Sequence, residues 1–362
     1  MKTNHALPAL CLLAACSTRG TDTNDSNGTD TVDTNDTTDT VDPSACGTCP
    51  DGSTCGAANG LPVCRDTDTA IPRFSHVFIV MMENTTGQRL LDSTAAPYLH
   101  GLIASGAYGA NYHGVEHPSL SNYIALMSGQ IEDNGPLDCD CEPEGDACDT
   151  ISCSILTHSC GCPQPHQQLV DELEPAGVTW RAYAEGMGTA CNLVGSGDYA
   201  PKHVPFLYFP AFTNDATRCA DHVVPFESNF AADLAAGPRD FSFIVPDLKN
   251  DMHDPIISGD SNLGNGDSWL ASHIPAILAS PAYTDNGLLI IAWDENDLSG
   301  VIHNDEPIPF VLMSPLAKHG GYSSAVSVDH YDLLATLEDT FGVARLGESA
   351  SATPLVDFFP AQ

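Results

Sequence analysis

The stretch His76-Val77-Phe78-Ile79-Val80-Met81-Met82-Glu83-Asn84 decides the fold. From Val77 to Met82 the run is apolar without a break, the pattern of a strand buried on both faces. Such a strand needs cover above and below it. Similar runs return at Phe241-Ser242-Phe243-Ile244-Val245, Leu288-Leu289-Ile290-Ile291-Ala292-Trp293 and Phe310-Val311-Leu312-Met313, and Val178 to Tyr183 is also strand-like. Helical segments lie between them. Thr94 to Ser105 has Thr94 as its cap, Pro97 in its first turn and Gly106 just past its end. Gln167 to Glu174 is helical, Asp267 caps a helix running through Ile277 and Leu278, and Val328 to Phe341 is a last helix with Asp329 near its start. Strands alternating with helices predict an α/β fold: a mostly parallel central sheet with helices on both faces.

In open sheets of this kind, sites form beyond the carboxyl ends of the strands. Those ends carry Glu83-Asn84, Asp294-Glu295-Asn296, and Pro246-Asp247 followed by Asn250-Asp251-Met252-His253-Asp254. Clustered carboxylates repel unless a cation sits among them. Their oxygen-rich donor set suits a hard or borderline divalent ion such as Ca²⁺, Mg²⁺ or Zn²⁺. The stretch Glu116-His117-Pro118-Ser119-Leu120-Ser121-Asn122-Tyr123 continues to Ser128-Gly129 and reads as a tight turn and a short helix. Ser121 is its expected N-cap and Gly129 its end. The Ser119 hydroxyl then falls at a helix N-terminus, where free N–H groups and the helix dipole favour a phosphoryl group. A serine there can act as a nucleophile once something lowers the cost of removing its proton.

The remaining chain sets the context. With 362 residues and 42% hydrophobic content there is material for one large core. Lys+Arg is 12 against Asp+Glu 48, a formal charge of −36, which repels nucleic acid and excludes it as a partner class. Residues 1–15 read as a lipoprotein signal peptide ending in Leu13-Ala14-Ala15, with Cys16 as the lipidated residue that ties the protein to a bacterial membrane, periplasmic or at the cell surface. Residues 16–43, rich in Thr and Asp, lack the apolar surface to fold and read as a disordered tether. Residues 44–66 hold Cys46, Cys49, Cys55 and Cys64, a small disulfide-rich module with three pairings open. Eight more cysteines follow, from Cys139 to Cys219, and the Cys139–Cys162 stretch reads as a stapled insertion at the rim of the site. Residues 71–362 form the catalytic domain. Nothing in the sequence specifies an oligomeric state.

From about Phe74 to Phe341 the chain resembles the bacterial phosphoesterase family of acid phosphatases and phospholipases C. The resemblance rests on Val80-Met81-Met82-Glu83-Asn84, His117-Pro118-Ser119-Leu120-Ser121-Asn122-Tyr123, Trp180-Arg181-Ala182-Tyr183-Ala184-Glu185, Tyr199-Ala200-Pro201-Lys202-His203-Val204-Pro205-Phe206, Val245-Pro246-Asp247-Leu248-Lys249-Asn250-Asp251-Met252-His253-Asp254, Gly266-Asp267-Ser268-Trp269-Leu270 and Ala292-Trp293-Asp294-Glu295, in that order. It implies an alkaline-phosphatase-like fold and a single divalent metal held by Glu83, Asn84, Asp294, Glu295 and the Ser119 oxygen. It also implies Ser119 as nucleophile, Asn122 as a donor to a phosphoryl oxygen, and His203, His253 and His303 lining the phosphate site. The expected activity is metal-dependent hydrolysis of phosphate esters through a phosphoserine, as an acid-phosphatase-like monoesterase. A phospholipase C or phosphodiesterase is the alternative, and a non-catalytic surface binding module the alternative of another class. Two departures from the family pattern stand out. Ser121 occupies a position where the family often has Pro. The segment Asn296-Asp297-Leu298-Ser299-Gly300 stands where phospholipase C members commonly have a glycine-rich segment, which favours the phosphatase branch.

Overall fold

In the computed structural model of the protein, residues 42, 44–49, 53–59, 61–67, 70–131, 140–144, 146–147, 160–253, 259–296 and 306–361 are described. The signal, Cys16, most of the tether and His303 lie outside them. A hairpin of β1 (Ser53–Ala58) and β2 (Leu61–Asp66) comes first. The central sheet then takes β3 (Val77–Met82), β4 (Ala107–Gly109), β8 (Trp180–Ala184), β9 (Val223–Pro225), β10 (Phe241–Val245), β11 (Leu288–Trp293), β12 (Phe310–Met313) and β13 (Tyr322–Ser324). Small pairs are made by β5 (Tyr112–His113) with β14 (Val328–Asp329), and by β6 (Asp146–Ala147) with β7 (Cys160–Gly161).

The sheet order is β13-β4-β12-β11-β3-β10-β8-β9. The run β11-β3-β10-β8-β9 is parallel throughout, and β12 is antiparallel to both its neighbours. The four central strands β12, β11, β3 and β10 are buried along their whole length, as their near-continuous apolar runs, interrupted only by Ser242, require. Burying a Val, Ile, Leu, Phe or Met side chain is worth about 1.5–3 kcal/mol, so these strands dominate the stability of the core. Register then positions the site: Trp293 pairs with Met82, so Asp294 and Glu83 leave adjacent parallel strands at the same level.

Three residues expected to cap helices do not cap them. The helix expected from Thr94 begins at Pro97, and Ala96 before it offers no side-chain cap. Its N-terminus is capped from a distance: the Asp267 carboxylate accepts from Tyr98 N–H at 3.1 Å and Leu99 N–H at 2.8 Å. Asp267 is therefore interior to its own helix, Ser261–Leu278, rather than the cap of it. Ser121 is not a cap either. The helix runs Ser119–Ser128 after Pro118, and the Ser121 hydroxyl is buried inside it without a partner. All ten residues of this helix are buried. Gly129 ends it with φ 67°, where a Cβ would lie 2.0 Å from the Leu346 carbonyl oxygen, so only glycine fits. The last helix, expected from Val328, runs His330–Phe341, and Asp329, expected near its start, is its N-cap.

The cysteine-rich segment pairs Cys46 with Cys55 and Cys49 with Cys64. It lies against the rest of the chain: Asn59 Nδ2 donates to the carbonyls of Pro315 and Ala317, and Arg65 Nη1 donates to that of Pro360. Cys141–Cys162 and Cys191–Cys219 are also bridged. The four disulfides among the described residues fit an oxidising compartment. Among the described residues, no helix is long and apolar enough to cross a membrane.

Candidate active site

The parallel register brings four acidic side chains together beyond the carboxyl ends of β3, β10 and β11. They are Glu83, Asp251, Asp294 and Glu295, none more than 5% exposed. Ser119, 2% exposed, opens its helix among them. Its Oγ lies 3.1 Å from Glu83 Oε2 and 3.2 Å from Glu295 Oε1. Asn84 adopts φ 36°, a left-handed conformation that asparagine tolerates. This turns its backbone N–H onto Asp294 Oδ1 at 3.1 Å and its Nδ2 onto Glu295 Oε1 at 3.0 Å.

The cluster is short of positive charge. Burial pushes the Glu83 carboxyl well up from its ordinary pKa, and the charges of Asp294 and Asp251 push it further. Burial pushes Asp251 up as well. Asp294 is raised to about 8, by burial first and then by the charge of Glu295. Asp294 Oδ2 and Asn84 Oδ1 are buried oxygens with no hydrogen-bond partner. Orphaned hard oxygens among mutually repelling carboxylates are what a divalent cation would satisfy, and the residues present fit one.

Histidines and a tyrosine surround this centre. Tyr123, four residues after Ser119 and on the same helix face, donates its hydroxyl to Glu83 Oε1 at 2.6 Å. Its ring stacks on His203 at 5.4 Å between centroids. His203 Nε2 is 3.1 Å from Glu83 Oε1, while its Nδ1 is 3.6 Å from Asp251, beyond hydrogen-bond reach. Burial, then the charges of Lys202 and His253, hold the His203 imidazole well below its usual range, so it is neutral. His253 is half-buried, and its backbone N–H donates to Asp251 Oδ1 at 2.8 Å. His117 Nδ1 sits 2.5 Å from Glu295 Oε2, and that contact raises its pKa and keeps its proton. His330 Nε2 lies 2.6 Å from the Asp294 carbonyl, to which it donates, leaving Nδ1 to accept from the Tyr112 hydroxyl at 2.8 Å.

Asn122 is engaged within the turn before Ser119. Its Nδ2 donates to the Glu116 carbonyl at 2.7 Å, and its Oδ1 accepts from Val115 N–H at 2.8 Å and Glu116 N–H at 3.2 Å. In this structure it holds the turn leading into Ser119. Of the expected residues, Glu83, Asn84, Ser119, Asp294, Glu295 and His203 share direct contacts, and His253 joins through Asp251. Asp251, already among the carboxylates expected at the strand ends, completes the surroundings together with Tyr123, His117 and His330, to which no role was assigned from sequence. Tyr123 was findable from its spacing to Ser119. His330 carried no local signal.

The architecture defines the class first. Over 83% of this chain and 72% of the other, the fold matches a protein of the alkaline phosphatase superfamily from Vibrio parahaemolyticus, with a TM-score of 0.50 at 12% sequence identity. The fold is alkaline-phosphatase-like. The chain belongs to the Phosphoesterase family, whose model matches residues 89–344. It is 32% identical over 292 residues to a phosphatidylinositol-3-phosphatase of Mycobacterium tuberculosis, covering 80% of this chain and 85% of that protein. It is 25% identical over 283 residues to a probable acid phosphatase of Kluyveromyces lactis, covering 76% of this chain and 60% of that one. The chain is a hydrolase acting on phosphate esters.

Proposed function

We propose that the protein is a divalent-metal-dependent phosphomonoesterase working through a phosphoserine on Ser119. The observation that carries this is the Ser119 hydroxyl at a buried helix start, held between the Glu83 and Glu295 carboxylates. Glu83, Asn84, Asp294, Glu295 and the Ser119 oxygen would hold the cation. When bound, it supplies Lewis-acid chemistry, acidifying the serine hydroxyl and offsetting the charge of the substrate. Ser119 Oγ attacks phosphorus in line with the leaving oxygen, and its proton passes to a neighbouring carboxylate. Tyr123 fixes Glu83 and stacks on His203, while His117 fixes Glu295. Asn122 keeps one amide hydrogen for a phosphoryl oxygen, and His253 protonates the departing alkoxide, with His303 as a further histidine of the phosphate site. Water then cleaves the phosphoserine and releases phosphate.

The names of the relatives favour a monoester and admit one carried on a lipid headgroup, such as a phosphoinositide. Attachment through Cys16, behind a signal over 1–15, would keep the enzyme at a membrane surface. Cys16→Ser should then release active protein from the membrane fraction, and a variant that still sediments like wild type contradicts the anchor. The direct test of activity is hydrolysis of an aryl phosphate monoester beside a lecithin-type diester, with and without chelator. Monoester turnover that chelation abolishes and divalent metal restores is expected. Turnover indifferent to exhaustive chelation, or confined to the diester, contradicts the proposal.

A further inference from the structure

The start of the Ser119–Ser128 helix is not bare. Pro118 provides no side-chain cap there. Leu120, the residue after Ser119, gives its N–H to Asp140 Oδ1 at 3.1 Å. The other oxygen of the same carboxylate, Oδ2, accepts from Lys202 Nζ at 2.5 Å. One carboxylate thus bridges a helix N-terminus and an ammonium, as two oxygens of a phosphoryl group would. Lys202 adjoins His203, which lies against Glu83, and its charge reaches both Glu83 and Asp251. Burial alone would lower the pKa of Lys202, but Asp140, Glu83 and Asp294 outweigh it and keep the ammonium charged. A cleft of about 340 Å³, lined by Asp140, Glu142, Ser196, Tyr199 and Lys202 among others, opens on the pair. Asp140 itself is tied down by its neighbour Cys141, which is bridged to Cys162.

We propose that Asp140 stands in for substrate, holding the Leu120 N–H and the Lys202 ammonium that a phosphoryl group takes when it binds, so that Lys202 selects doubly charged monoesters over singly charged diesters. This rests on Ser119 being the nucleophile. A remote helix cap accounts for the Leu120 contact alone. It does not account for the second oxygen holding a lysine whose neighbour His203 lies against Glu83 and whose charge reaches Glu83 and Asp251. The selectivity follows from charge: an ammonium attracts a dianion more strongly than a monoanion, and both partners here are largely removed from water.

The test uses the purified protein with p-nitrophenyl phosphate, bis(p-nitrophenyl) phosphate and inorganic phosphate as inhibitor. Lys202→Met should lower kcat/KM for the monoester by on the order of 10²-fold, as loss of a committed donor does. The diester value should fall less than about tenfold, in keeping with its single charge. Asp140→Asn keeps a cap of equal quality, so a pure capping role predicts no change; displacement by substrate predicts inhibition by phosphate tightened several-fold. The double variant, which leaves neither charge unpaired, should show the same loss of monoester preference as Lys202→Met. Equal losses on both esters in Lys202→Met and the double variant, or unchanged phosphate inhibition in Asp140→Asn, overturn the proposal. Wild-type protein inactive on both esters would overturn the nucleophile assignment, and this proposal with it.

Discussion

Tyr123 shows how one side chain can serve the site without touching substrate. Its hydroxyl holds Glu83 at 2.6 Å while its ring packs against His203. Tyr123→Phe keeps the stacking and removes only the hydrogen bond. A hydrogen bond to a charged group is worth about 1.5–3 kcal/mol of stability, so the melting temperature should fall measurably, and kcat should fall with it if the hydroxyl orients Glu83 for the reaction. Steady-state kinetics beside a melting curve decide this; an unaltered kcat would make Tyr123 a packing residue. At this scale the sequence was most informative where a polar residue directly follows a buried strand. Glu83, Asn84, Asp294 and Glu295 were legible because parallel strands end on one edge, whatever the loops do. Asp140, His117 and His330 were not, because their places depend on turns and long connections that leave no periodic pattern. Asn122 was read through resemblance alone, and its amide holds the turn before Ser119.

Helix ends were the least legible elements. Asp267 has the residue type of a cap and acts as one, but for Pro97–Ser105, a helix far away in sequence. Local spacing does not reveal such exchange, because a carboxylate caps any N–H that packing brings to it. The final helix has a polar feature of another kind. Glu338 is fully buried, with Oε1 accepting from Leu346 N–H at 2.7 Å and Oε2 from the Ser349 hydroxyl at 2.6 Å. Burial pushes its pKa up to about 7 against those hydrogen bonds and Arg345, which pull it down. The folded state therefore holds this proton where the unfolded chain has lost it. The stability so gained is fully present below the ordinary value of 4.5 and lost as pH rises through about 7. Glu338→Gln can accept from Leu346 and donate to Ser349, so it should flatten this part of the pH profile. Above pH 7 it should gain at most about 3 kcal/mol over wild type. Urea titrations between about pH 5 and 8 check this, and parallel profiles for the two proteins would contradict it.

For the molecule as a whole, the near-continuous apolar strands specified a parallel core, and that core fixed where the acidic residues meet. The antiparallel β12 escaped the reading, because a strand buried on both faces looks the same in either direction. The disulfide pairing of the hairpin segment was likewise open: Cys55 lies opposite Cys64, yet each is bridged to a cysteine before the hairpin, Cys46 and Cys49. What the fold delivers is one serine at a helix start, among carboxylates that hold too little positive charge to rest alone. The most direct test of this account is mass measurement of the intact protein after rapid acid quench during turnover of an aryl phosphate. The account predicts a phosphate adduct that peptide mapping places on Ser119, absent in Ser119→Ala and retained in Ser121→Ala. An adduct on another residue, or full turnover by Ser119→Ala, would contradict it.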